Sequence, residues 1–166
     1  MNAQEQRKRR KISSIDEIDR KILEIIQEDA GLALTEVAKR VGLSSTPCWR
    51  RLQRLEAEGV IRQRVTLLDP VKLNVGVTIF VSVRTDQHNL DWTTRFEAAV
   101  REIPEVVEFF RMSGDTDYLL KVVVPDIGSY DGVYKRLISK VDIADVSSSF
   151  ALERLKDTTV LPLNYV

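Results

Sequence analysis

Cysteine and histidine are almost missing from this chain: there is one of each in 166 residues. A single cysteine excludes an intramolecular disulfide framework and fits a reducing compartment. A single histidine, His88, leaves nothing to build a metal-ligand cluster around. No nucleophile motif and no glycine-rich phosphate loop appears either, so no catalytic residue, metal ligand or cofactor is assigned. No apolar run is long enough to cross a bilayer, and the basic N-terminal residues have no apolar segment behind them as a signal peptide would. No membrane partner is expected, and the expected location is the cytoplasm.

Net charge is also lacking, at +0 overall. Taken alone, this argues against a polyanion-binding protein, but the distribution of charge along the chain points the other way. Residues 1–64 carry 14 Lys+Arg against 10 Asp+Glu, and the remainder carries 11 against 15. A basic front joined to an acidic back is expected where one half meets polyanion and the other meets something else.

What the sequence does contain is organised around residues 34–59. They read as a short helix, a tight turn and a second helix with one apolar and one basic side. At about 100° per residue, Cys48, Leu52, Leu55 and Gly59 cluster on one side of the second helix. Thr46, Pro47, Arg50, Gln53, Arg54 and Ala57 fall on the other, with Arg51 on the shoulder. The first side is core. The second offers side chains that bond base edges and phosphates in a DNA major groove, and no acid interrupts it before Glu56. Arg50, Gln53 and Arg54 are expected on base edges, Thr46 on an edge or phosphate, and Arg51 on a phosphate. Gly42 suits the turn, Gly59 the helix end, and Pro47 the first helical turn; Thr35 and Ser44 to Thr46 are candidate caps.

The rest of the chain falls into place around this pair. Residues 1–13, with the run Arg7 to Lys11, form a disordered basic tail, either a DNA-tracking arm or a solubilising leader. Residues 14–60 make a three-helix, winged helix-turn-helix domain. Its first helix buries Ile15, Ile18, Ile22, Ile25 and Ile26, presents Asp19, Arg20, Lys21 and Glu24 to solvent, and is capped by Ser14 with Glu17 or by Asp16. Residues 61–74 are a strand-like hinge that contains the turn pair Asp69-Pro70. From residue 75 to 166 the pattern becomes βαββαβ, a ferredoxin-like sheet with helices on one face, so the fold class is α+β. The second helix of this domain is expected to turn Ile127, Tyr130, Tyr134, Leu137, Ile138 and Val141 inward. Phe80, Phe110 and Met112 compete with Phe109, Leu120 and Val122 for burial on opposite sheet faces. Both faces are sticky, and helices cover one, so a homodimer is expected.

Val41-Gly42-Leu43-Ser44, Thr46-Pro47-Cys48, Arg54-Leu55-Glu56, Asp69-Pro70, Ser113 to Leu120 and Val124-Pro125-Asp126 occur in this order across nearly all of the chain after the tail. In this the sequence resembles the leucine-responsive regulatory protein/asparagine synthetase regulator (Lrp/AsnC) family of prokaryotic transcription factors. The resemblance implies a nucleoid-associated regulator of double-stranded DNA. It also implies a C-terminal amino-acid-sensing domain, dimers assembling to octamers, and effector binding between dimers beside Ser113 to Tyr118. Backbone N–H groups at Gly114 suit a carboxylate and Asp115 or Asp117 an α-ammonium, while Ser148 by the family's pattern, or Ser147 or Ser149 by proximity, adds a hydroxyl. A plain hairpin turn also accounts for Gly114-Asp115. The spellings of residues 46–56 and 145–156 look closest to a branch linked to cysteine handling; cysteine, leucine and methionine all stand as effector candidates.

Two other readings remain beside the regulator. One is a ligand-indifferent architectural DNA-binding protein. The other is a decarboxylase-type enzyme, because some tetrapyrrole-pathway decarboxylases resemble the same two-domain build. Such an enzyme needs ionisable residues converging on a cavity, and His88 sits in an expected loop.

Overall fold

A computed structural model describes residues 14–166; the basic tail, residues 1–13, lies outside them. The chain divides into two compact units, one running up to Thr66 and taking back Lys156–Val166, the other Leu67–Leu155. The expected domain boundary at 75 and the assignment of everything after it to one domain therefore both shift.

The first unit holds three helices, α1 (Glu17–Glu28), α2 (Leu34–Arg40) and α3 (Ser45–Ala57). Their apolar stripes meet at Ile22, Val37, Ala38, Cys48 and Leu52, ringed by Ile18, Ile25, Ile26, Leu43 and Ile61 among others. The cap of α1 is Asp16, not Ser14: its side chain accepts from the Asp19 backbone N–H, and Asp19 reaches back to the Asp16 N–H in a reciprocal capping box. Neither α2 nor α3 has a side-chain cap, so Thr35 and Ser44 do not serve as expected.

Glycine ends both helices of the central pair. Gly42 (φ 74°) and Gly59 (φ 77°) lie in the left-handed region. The N–H of Leu43 bonds back to Ala38 and that of Gly42 to Lys39, while Val60 bonds to Leu55 and Gly59 to Glu56. Each pair of bonds is a Schellman closure that satisfies carbonyls the helix end would leave orphaned. The segment after α3 has no regular secondary structure through Asp69 and pairs with no strand among the described residues, which corrects the strand-like reading of the hinge. Lys156–Val166 lies along α1, where the Gln27 amide exchanges two hydrogen bonds with the Leu161 backbone (2.9 and 3.2 Å) and Arg20 donates to the Val166 carbonyl.

The second unit is β1 (Val77–Arg84), α4 (Leu90–Arg101), β2 (Val106–Arg111), β3 (Tyr118–Val124), α5 (Ile127–Ile138) and β4 (Asp145–Phe150). The four antiparallel strands lie in the order β2-β3-β1-β4, as expected of a ferredoxin-like sheet. Ile79, Val81 and Val83 on β1 align with Val122, Leu120 and Tyr118 on β3, and this row is buried with Trp92, Phe96, Tyr130, Val133 and Leu137. Trp92 stacks on Phe96 at 4.9 Å and donates its indole N–H to the Asp142 carbonyl at 2.7 Å, so its one polar atom is satisfied in the core. On α5 the buried stripe is Tyr130, Val133, Leu137 and, beyond the helix, Val141; Ile127 and Ile138, expected inside, are exposed. The reverse sheet face exposes Phe80, Phe110 and Met112.

A Cβ added at Gly42 or Gly59 meets no atom within 4 Å, so only the backbone angle opposes it. Gly42→Ala and Gly59→Ala should each cost about 1 kcal/mol, seen as a lower melting temperature. An unchanged melt would show that neither glycine is required by its conformation.

Candidate nucleic-acid interface

Cys48, Leu52 and Leu55 are the buried side of α3, so its opposite side faces outward. With those three inside, Thr46, Arg50, Gln53 and Ala57 recur at spacings of four, three and four and are all exposed. Trp49 is also exposed (51 %), one turn from both Thr46 and Gln53. The wheel gave no reason to place an indole there, and only its position beside the polar stripe marks it. Gln53 reaches Glu56 at 3.1 Å, and Arg64 pairs with Glu56 at 3.0 Å. Arg50 has no intramolecular partner among the described residues.

The other two arginines of α3 behave differently. Three residues apart, Arg51 and Arg54 both turn toward the start of α1. Arg51 Nη1 donates to Asp16 Oδ2 at 2.6 Å and to Asp19 Oδ1 at 2.8 Å, and Arg54 Nη2 donates to Asp19 Oδ2. Asp19 has no solvent exposure at all, whereas its place on the helical wheel put it on a solvated face. A carboxylate so placed is tolerable only when its oxygens are bonded, and here both are. The Asp19 backbone N–H and, next, the Arg51 guanidinium hold the Asp16 carboxyl below its usual range. The Asp16 and Asp19 carboxylates raise Arg51 in turn. Arg54 was expected on a base edge and Arg51 on a phosphate; their guanidiniums are instead engaged within the domain, and each is only partly exposed.

The four residues nominated for an effector do not form one pocket in the protomer. Gly114 (φ 107°) and Asp115 are exposed in the turn between β2 and β3. Asp117 Oδ2 accepts the Thr85 N–H at 2.8 Å and so staples that turn to the end of β1. Ser148 aligns with Val81 on the far side of β1, two strand spacings or about 10 Å from β3. It lies on the helix-covered face, where its hydroxyl and that of Tyr130 are 2.5 Å apart. A separate cleft of about 430 Å³ opens between the end of α5 and the start of β4, beside Tyr134, Ile138 and Ile143, and includes none of the four. His88 is exposed, and no group of three or more potential metal ligands occurs among the described residues. No helix there is long and apolar enough to cross a membrane.

Comparison with known proteins agrees with this division. Residues 15–62 match the family described as winged helix-turn-helix DNA-binding, and residues 78–161 match the Lrp/AsnC ligand binding domain. A glutamate uptake regulatory protein from Zymomonas mobilis is 49 % identical over 152 residues, 92 % of this chain and 93 % of that one. The DNA-binding transcriptional activator DecR of Escherichia coli is 48 % identical over 150 residues, covering 90 % and 99 %. Among solved structures, an AsnC family transcriptional regulator from Agrobacterium tumefaciens superposes with a TM-score of 0.88 at 63 % identity, covering 90 % of this chain and 98 % of its own. The Neisseria meningitidis regulator NMB0573 in complex with L-Met gives 0.87 at 40 %, covering 92 % and 99 %.

Cys48 is fully buried, and burial pushes its thiol pKa up against a smaller opposing pull from Arg51. Iodoacetamide should therefore modify the native protein at least about a hundredfold more slowly than the denatured one, because reaction waits for local opening. Equal rates would place the thiol at the surface.

Proposed function

The chain belongs to the Lrp/AsnC family of transcriptional regulators, and from that premise we propose that it reads specific duplex DNA with the exposed stripe of α3 under the control of a small amino acid. It is a DNA-binding transcriptional regulator, not an enzyme, with a ligand-binding domain that follows its helix-turn-helix in sequence. The observation that carries the finer reading is the alignment of Thr46, Arg50 and Gln53 on one exposed line of a helix whose opposite side is core. Arg50 has the fork that bonds guanine O6 and N7, Gln53 the amide that pairs with adenine, and Thr46 a hydroxyl for an edge or a phosphate.

The effector is an amino acid with methionine, leucine and cysteine as candidates; the L-Met complex of the Neisseria relative supports the class. Its site lies between dimers and draws on Gly114, Asp115, Asp117 and Ser148. The separation of Ser148 from the other three within one protomer fits a site assembled from several copies. Dimers form through the sheet face that exposes Phe80, Phe110 and Met112, and they assemble further to octamers in the cytoplasm on the nucleoid. An amino acid that prefers one assembly over another shifts DNA affinity by that preference.

Arg50→Ala should weaken specific binding by about 1–3 kcal/mol and relax base preference at one position, measured by anisotropy on wild-type and base-substituted duplexes. An unchanged affinity and footprint would remove Arg50 from the interface. Trp92 is buried and Trp49 exposed, so bound duplex should shield one tryptophan from acrylamide and leave the other as it was. L-methionine, L-leucine or L-cysteine should move either DNA affinity or oligomer size; if none moves either, the ligand-indifferent architectural reading takes over.

A further inference from the structure

We propose that Asp19 is the positioning residue of the DNA-reading helix, and that Arg51 and Arg54 act on DNA through it, by orienting α3, and not by touching the duplex. The inference rests on the DNA-reading function proposed for α3. Its ground is the four-residue lattice in which Asp16 and Asp19 at the start of α1 hold Arg51 and Arg54 of α3. Two carboxylates meet two guanidiniums, so the lattice adds no net positive charge to the reading surface.

Three features make this a positioning device. Asp19 is fully buried, and each of its oxygens receives a guanidinium from the same helix. Such an acid has no alternative partner in water, so the pairing must hold in every folded molecule. The acid is itself fixed by the capping box with Asp16, so the anchor cannot swing with its side chain. Finally, Arg51 and Arg54 are one helical turn apart, so engaging both at one carboxylate fixes the rotation of α3 as well as its distance from α1. An apolar contact among Cys48, Leu52 and their neighbours tolerates sliding; a carboxylate between two guanidiniums does not. Arg50 and Gln53 are the residues that this rotation aims outward.

The experiment compares full-length wild type, Asp19→Asn, Arg54→Ala, Arg54→Lys and the double variant Asp19→Asn/Arg54→Ala on a duplex selected by the wild-type protein from a random pool. Affinity is read by anisotropy across several salt concentrations, against scrambled DNA, with thermal melts confirming a folded domain. Failure to enrich any duplex would sink the DNA-reading function itself. Given an enriched duplex, Asp19→Asn and Arg54→Ala should each lose about tenfold in specific affinity, with little change on scrambled DNA. The salt slope should stay at the wild-type value, and the double variant should be no weaker than the weaker single one. Arg54→Lys keeps a charge for a phosphate but not the fork for Asp19, so it should lose affinity as Arg54→Ala does. It is the arm that decides if Asp19→Asn does not fold. The inference is overturned if Arg54→Ala lowers the salt slope by about 0.9, as one lost phosphate contact would. It is equally overturned if Arg54→Lys binds like wild type, or if folded Asp19→Asn binds as tightly as wild type or more so.

Discussion

A buried carboxylate has to be paired, and at Asp19 the partners come from another helix. This constraint governs the first unit. The apolar contacts among α1, α2 and α3 supply cohesion, but cohesion of that kind is non-directional. The ion lattice of Asp16, Asp19, Arg51 and Arg54 adds direction, and it does so without net charge. Removing either arginine would leave the buried Asp19 carboxylate short of a partner, which is costlier than never having buried it. The domain is thus committed to one arrangement of α1 against α3, and the exposed line of Thr46, Arg50 and Gln53 follows from it.

The second unit faces a different constraint. A four-stranded sheet has two faces, and α4 and α5 cover only one of them. Ile79, Val81, Leu120 and Val122 are consumed there, while Phe80, Phe110 and Met112 are left toward solvent on the other. Exposed aromatic side chains on a flat sheet face are unfavourable for a lone protomer, and the proposed dimer removes that liability by covering the face with a copy of itself. The same logic bears on the proposed effector site. Asp117 is engaged with Thr85 and Ser148 with Tyr130, so each is held in place by its own protomer while separated from the other by β1.

How far the chain could be read in advance depended on how local each feature is. Gly42 and Gly59 were legible because a Schellman closure needs a left-handed residue just past the helix, which is a local demand. The βαββαβ order was legible because period-two and period-3.6 patterns alternate cleanly. Asp19 was not legible: on a wheel it sits among Arg20, Lys21 and Glu24, and only the approach of α3 makes it interior. The same tertiary fact pairs Arg51 and Arg54 with Asp19, since a wheel records angle but not what stands opposite. On α5 the wheel gave a stripe through Ile127 and Ile138, and packing chose the one through Val133. The return of Lys156–Val166 to α1 rests on single side chains such as Gln27, which carry no pattern at all.

Charge accounting changes once the pairs are known. The four excess positive charges of residues 1–64 all reside in residues 1–13; residues 14–64 carry nine Lys+Arg and nine Asp+Glu. Within that balanced domain, Arg51 and Arg54 are matched by Asp16 and Asp19, Arg40 by Glu36 and Arg64 by Glu56. A basic front half is therefore a correct sum with a misleading location. On the proposed reading, the folded domain contributes orientation and a short line of donors. Such an arrangement suits a regulator, because discrimination then rests on a few side chains, Thr46, Arg50 and Gln53, aligned on one exposed line of α3.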